Sequence, residues 1–118
     1  MYKISKEFHF SASHQLVGLS TDHPCSRLHG HNYTITVELK AKTLSKHGFV
    51  VDYKELDMFK AYLDETVDHR HLNDVFGENK TTAEHLARIF YEWCFEKWPE
   101  VTAVSVSETP KSSAEYRP

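Results

Sequence analysis

Cysteine, glycine and proline are scarce in this chain of 118 residues: there are two, four and four of them. Two cysteines cannot build a disulfide framework, so the fold must rest on a hydrophobic core. The length suits one such core, and a single domain over residues 1–118 is expected. Cys25 falls in a polar loop and Cys94 on a helical stripe beside Trp93 and Phe95, and two free thiols are expected. No apolar run approaches the roughly 20 residues of a membrane span. The N-terminus, with Lys3, Lys6 and Glu7 inside a strand pattern, lacks the form of a signal peptide, so a cytoplasmic protein is expected. Positive charge is not in excess either: 14 Lys and Arg stand against 17 Asp and Glu, for a net charge of −3. That leaves no basic field for nucleic acid or an anionic membrane. Repeats and low-complexity tracts are absent, and small-molecule chemistry is the class that remains.

What is present is a concentration of histidine at one end of a predicted sheet. From Tyr2 the even positions read Tyr, Ile, Lys, Phe, Phe, Ala, His and the odd ones are polar, the signature of a half-buried strand ending at His14. A second alternating run follows the segment Cys25-Ser26-Arg27-Leu28-His29-Gly30-His31. Side chains repeat every second residue in a strand, so His29 and His31 share a face with Tyr33, Ile35, Val37 and Leu39. Pairing the two strands as a hairpin brings His14, His29 and His31 together. Three neutral imidazoles with an open fourth position are a ligand set for catalytic zinc, and nickel, iron or copper would also suit imidazole. Burying three imidazoles without a shared partner would cost about 1–3 kcal/mol for each unsatisfied group.

Further along, Phe49 to Val51 reads as a short strand, and Asp52 with Glu55 as a capping box opening a helix to about Glu65. Val67 to Asn79 reads as loop, with Arg70 and His71 solvated. Thr81 with Glu84 repeats the capping pattern ahead of a stripe of Leu86, Ile89, Phe90, Trp93 and Lys97, which Pro99 stops. Thr102 to Glu108 and Ser113 to Tyr116 complete the sequence as strands. The order ββααββ predicts an α+β fold, a four-stranded antiparallel sheet with two helices on one face. Two open sheet edges predict an oligomer.

Three further groups can do chemistry. Cys25 stands four residues before His29; as a thiolate it is a competent base or nucleophile, as a ligand it would close the metal site, and a half-buried thiol without a role is the third reading. Glu108 continues the row Thr102, Val104, Val106. It either reaches solvent at the sheet end or pairs with two parallel N–H groups of a heterocycle. Asp68-His69 is a carboxylate beside an imidazole, the pair of a proton shuttle, although neighbours in an extended backbone point opposite ways.

The segments CSRLHGHNY, FSASH, GFVVDY, VDHRHLND, TTAEHLA and VSETPKSSAEY resemble, in order and along nearly the whole sequence, the 6-pyruvoyltetrahydropterin synthase family. The three residues between Cys25 and His29 are most similar to its bacterial branch, which forms 6-carboxytetrahydropterin in queuosine biosynthesis. Thr81, where bacterial relatives often carry proline, and His71 depart from the pattern. The resemblance implies the T-fold, in which the sheets of three subunits close into a barrel and two rings stack into a homohexamer. It implies Zn2+ on His14, His29 and His31, Cys25 as general base, Asp68 and His69 moving a second proton at a neighbour's zinc, and Glu108 anchoring the pterin. The implied substrate is 7,8-dihydroneopterin triphosphate. A 6-pyruvoyl product, or zinc and pterin binding without catalysis, are the alternative readings.

Overall fold

The computed structural model describes Met1 to Pro118. The elements in sequence order are strand β1 (Tyr2–His14), a 3-10 turn (Pro24–Ser26), β2 (His29–Ala41), helix α1 (Asp57–Thr66), β3 (Arg70–His71), α2 (Leu72–Phe76), α3 (Ala83–Lys97), β4 (Val101–Thr109) and β5 (Ser112–Tyr116). Strict alternation over thirteen residues lets β1 and β2 pair antiparallel without a break, from Tyr2 opposite Ala41 to His14 opposite His29. The sheet order is β3-β1-β2-β4-β5. It has five strands rather than four, because Arg70–His71 adds a short parallel pairing to Ala12 and Ser13.

One sheet face carries the core. Phe8, Phe10, Tyr33, Ile35, Val37, Leu39, Val104 and Val106 are buried against Phe59 and Leu63 of α1 and Leu86, Phe90 and Cys94 of α3. Phe10 stacks on Tyr33 with ring centroids 4.7 Å apart, and Phe59 meets Phe8 edge-on at 5.0 Å. Each large side group taken fully from water contributes about 1.5–3 kcal/mol, so this layer is what fixes the register and with it the end of the sheet where the histidines stand. Cys94 is fully buried and both thiols are free. Lys97 ends the α3 stripe over the Trp93 ring at 4.3 Å.

Several local expectations shift. Phe49 to Val51 forms bends instead of a strand; the preceding loop closes on itself through Ser45 N–H to Phe49 C=O at 2.8 Å, leaving no partner for a ladder. Asp52 caps a turn, accepting from Lys54 N–H at 2.9 Å, and α1 begins five residues later at Asp57. The cap of α3 is Thr82, whose hydroxyl accepts from His85 N–H at 3.2 Å, so Thr81 lies outside the helix and is buried. In β4 a bulge opposite Glu38 and Leu39 turns Thr102 out of the apolar row, and its hydroxyl bonds the Glu38 carboxylate at 2.7 Å. Val104 and Val106 keep the two-residue period expected of them, while Glu108 falls within a second irregularity, where β4 pairs with β5. The stretch after α1 is not all loop, and His71 is half-buried in β3 instead of solvated.

Candidate active site

The register of β1 and β2 sets Ala12 opposite His31 and His14 opposite His29, so three imidazoles meet at the end of the apolar face. One nitrogen from each lies within 4.8 Å of the others. His14, 1 % exposed, is held by a 2.8 Å bond to the Thr81 carbonyl, and His29 by a 2.7 Å bond to the Arg27 carbonyl. A carbonyl can only accept, so in both rings Nδ1 carries the hydrogen and the neutral Nε2 presents a lone pair. Burial pushes the His31 imidazole below its ordinary value, toward the neutral form that ligates; facing Glu108 opposes this.

These residues fit a metal ion. His14 Nε2 is buried with no hydrogen-bond partner, and 3.3 Å away lies Oε2 of Glu108, which is also 3.3 Å from His31 Nε2. The imidazoles, His14 first, hold the Glu108 carboxyl below the usual carboxylate range against the effect of burial. A lone pair facing an ionised carboxylate in a half-buried site calls for a cation. Carbonyls fixing the far nitrogens of two rings are the outer support that orients histidine ligands. The donor set is borderline nitrogen, suited to zinc and its neighbours in the first transition row.

Asp68 and His69 do touch. His69 has φ +58°, a left-handed conformation that breaks the extended path and turns its Nδ1 to within 2.9 Å of Asp68 Oδ2. The same carboxylate accepts from Ser11 N–H at 2.9 Å, the first cause of its lowered pKa, with His69 second. His69 N–H in turn bonds the Ser11 carbonyl at 2.6 Å. The His69 ring is 81 % exposed and lines a cavity of about 480 Å³ shared with His31 of the same subunit.

Cys25 sits in the 3-10 turn, half-buried, and its carbonyl accepts from Leu16 N–H at 2.9 Å, which ties the turn to the backbone just past His14. The group of converging ligand atoms does not include its thiol, so three nitrogens form the set. Glu108 lies on the wall of a larger cavity of about 820 Å³ among Thr34, Ser105, Ser107 and Ser113, with no hydrophobic residue in its lining. It neither ends in open solvent nor stands apart from the histidines.

The supporting groups Thr81, Arg27 and Ser11 could not be read from sequence, because each acts through a backbone carbonyl or N–H that every residue type possesses. Asn73 was also missed. It is buried in α2, its Oδ1 accepting from Gln15 N–H at 3.0 Å and its Nδ2 donating to Gln15 C=O at 2.7 Å, a clasp on the residue after His14. An asparagine in a stretch rich in aspartate and histidine was its one visible trace.

A 6-carboxy-5,6,7,8-tetrahydropterin synthase from Haemophilus influenzae is 31% identical, the match covering 99% of this protein and 99% of that one. One from Synechocystis is 37% identical over 98% of this protein and 93% of that one. Among solved structures, the 6-pyruvoyl tetrahydropterin synthase of Caenorhabditis elegans superposes with a TM-score of 0.87 at 27% identity, covering 99% of this protein and 95% of that one. The fold is the α+β T-fold of these proteins, here with five strands in the sheet. The histidine end of the sheet therefore lies in a frame shared along its full length with known pterin synthases, and with residues 3–118 matching the model of the 6-pyruvoyl tetrahydropterin synthase family, this protein belongs to that family.

Proposed function

We propose that this protein is a zinc-dependent 6-carboxy-5,6,7,8-tetrahydropterin synthase. It would convert 7,8-dihydroneopterin triphosphate and water to 6-carboxytetrahydropterin, acetaldehyde and triphosphate, a carbon–carbon lyase step toward queuosine. The observation that carries this reading is the meeting of three histidine nitrogens, two of them 3.3 Å from Glu108, with His69 lining a cavity that His31 also lines. The relatives from Haemophilus influenzae and Synechocystis support the 6-carboxy product. Assembly as a cytoplasmic homohexamer of this single domain belongs to the same proposal.

His14, His29 and His31 would hold the zinc, which supplies Lewis acidity toward substrate oxygens and stabilises enolate-like charge. Cys25 acts as the base that removes a proton from the substituent on the pterin ring, its turn being held next to His14. Asp68 Oδ2, 2.9 Å from His69 Nδ1, would favour the hydrogen on that nitrogen and leave Nε2 of the ring to take and return the second proton. Glu108, an acceptor-only carboxylate on the wall of a polar cavity, pairs with the parallel N–H groups of the pterin. Loss of triphosphate and cleavage of a carbon–carbon bond in the ring's substituent complete the reaction, water supplying the second oxygen of the carboxylate and a proton going to the departing two-carbon fragment, which leaves as acetaldehyde.

The test is to incubate zinc-loaded protein with 7,8-dihydroneopterin triphosphate, without reductant, and identify the products by mass. Acetaldehyde with a 6-carboxy pterin is expected. A 6-pyruvoyl product would move the protein to the other branch of its family, and no turnover by protein holding zinc and pterin would reduce it to a binder.

A further inference from the structure

Two cavities of opposite chemistry meet at His31, one of the three histidines of the candidate metal site. They share Gly30, His31 and Asn32 and nothing else. The larger one holds two carboxylates, Glu7 and Glu108, among hydroxyl groups, and neither lysine nor arginine. The smaller holds no carboxylate; Arg70, His69 and His71 stand around the hydroxyls of Ser11 and Ser13. A donor-rich heterocycle is matched by the first and an anion by the second, and each cavity repels the other's ligand.

The cationic cavity is built by β3, the strand that the periodicity of the sequence does not reveal. Its only two residues are Arg70 and His71, and pairing with Ala12 and Ser13 lays them along the edge of the sheet next to the site. The His71 ring is set by Ser13 Oγ, 3.0 Å from its Nδ1. Arg70 is exposed and forms no ion pair within the subunit, so its guanidinium is free for phosphate oxygens. At the shared floor stands Gly30, which puts no side group between the two spaces; a Cβ there would come within 3.3 Å of the Ala12 carbonyl.

We infer that the cavity of Arg70 and His71 binds the polyphosphate of the substrate, which therefore lies across the site with its pterin at Glu108 and its phosphates at β3. The inference rests on the pterin triphosphate reading above and adds the orientation. In that substrate the reacting carbons join the ring to the phosphates, and in the protein His31 lies where the two cavities adjoin, so the two orders coincide. The same cavity would hold the triphosphate released.

The test is calorimetric titration of the metal-loaded protein with inorganic triphosphate and, separately, with neopterin, metal content being measured before and after. The variants are Arg70→Ala, Arg70→Lys, His71→Ala and Glu108→Gln, with thermal melts to confirm folding. Arg70→Ala and His71→Ala are each expected to weaken triphosphate at least tenfold while neopterin affinity and metal content stay within twofold, and Arg70→Lys to recover part of the loss. Glu108→Gln should do the reverse. Triphosphate affinity unchanged in Arg70→Ala, or both ligands weakened alike by it, overturns the assignment. Parent protein that binds triphosphate through Arg70 but no neopterin would keep the anion cavity and remove the pterin reading; neopterin binding with no Arg70 effect would do the opposite.

Discussion

The Nδ1 hydrogen of His14 is donated to the carbonyl of Thr81 across 2.8 Å, sixty-seven residues away in the sequence. This bond exists because α3 is capped by Thr82 and not Thr81, which leaves the Thr81 carbonyl free to face β1. It fixes which nitrogen of the most buried histidine looks into the site. His29 is fixed in the same way by Arg27, so two rings of the candidate metal site are oriented by backbone carbonyls.

Removing one ligand should therefore remove the metal without removing the fold. His29→Ala is expected to bring bound zinc from one per subunit to less than about a tenth of that at equal zinc concentration, since losing even an outer partner costs about 10–100-fold in affinity. His29 is only partly buried, so the thermal melt of the metal-free variant should match that of metal-free parent. Metal analysis after dialysis checks this; full zinc occupancy would refute the ligand set.

Cys25→Ala should abolish turnover and leave zinc content unchanged. The thiol lies outside the ligand group, and the 3-10 turn is held by backbone bonds that alanine retains. Steady-state kinetics beside metal analysis decide it: retained turnover would dismiss Cys25 as the base, and lost zinc would make it a ligand.

Asp68→Asn keeps an acceptor for Ser11 N–H but no longer holds His69 in one tautomer. Turnover is expected to fall about 10²–10⁴-fold, the range of general acid–base contributions, with KM for the substrate little changed. Comparing kcat with KM separates this from a loss of binding, and an unaltered kcat would exclude the pair from the proton path.

Stability in acid should depend on Glu38. The Arg117 guanidinium, at 2.6 and 2.9 Å, and the Thr102 hydroxyl hold its carboxyl down at about 2 against the effect of burial. An unfolded glutamate titrates near 4.3. The folded state thus favours the ionised form, and this contribution is complete above about pH 4.5 and lost as the pH falls toward 2. Glu38→Gln should lower the urea midpoint at pH 7, by an amount limited by solvent screening at the half-exposed Arg117. The gap to the parent should close between pH 4.5 and 2, measured by urea denaturation across that range; a constant gap would contradict the assignment.

Much of the frame was legible because its periods are strong. Thirteen residues of unbroken alternation in β1 and again in β2 leave one register that buries Phe8, Phe10, Tyr33 and Ile35 together, and that register alone carries His14, His29 and His31 to one place. The stripe of α3 is legible for the same reason, even though its cap was displaced by one residue. Short elements were not legible. Two residues of β3 and five of α2 are too few for a period, and they form because the sheet edge and the clasp of Asn73 on Gln15 hold them. The contact of Asp68 with His69 was hidden because it depends on a left-handed φ at a histidine, which no pattern of residue types signals.

By itself the sequence determined the α+β class, the apolar faces, the three imidazoles and the presence of Cys25, Asp68, His69 and Glu108 at their places along it. Those follow from side-group period and chemistry, which are properties of residue type. Tertiary structure alone decided which carbonyls orient the histidines, that Glu108 faces His14 and His31, and that a carboxylate cavity and a cationic cavity adjoin at His31. Apart from the local bond of His29 to Arg27, each of these joins positions distant in the sequence, and only the folded protein places those.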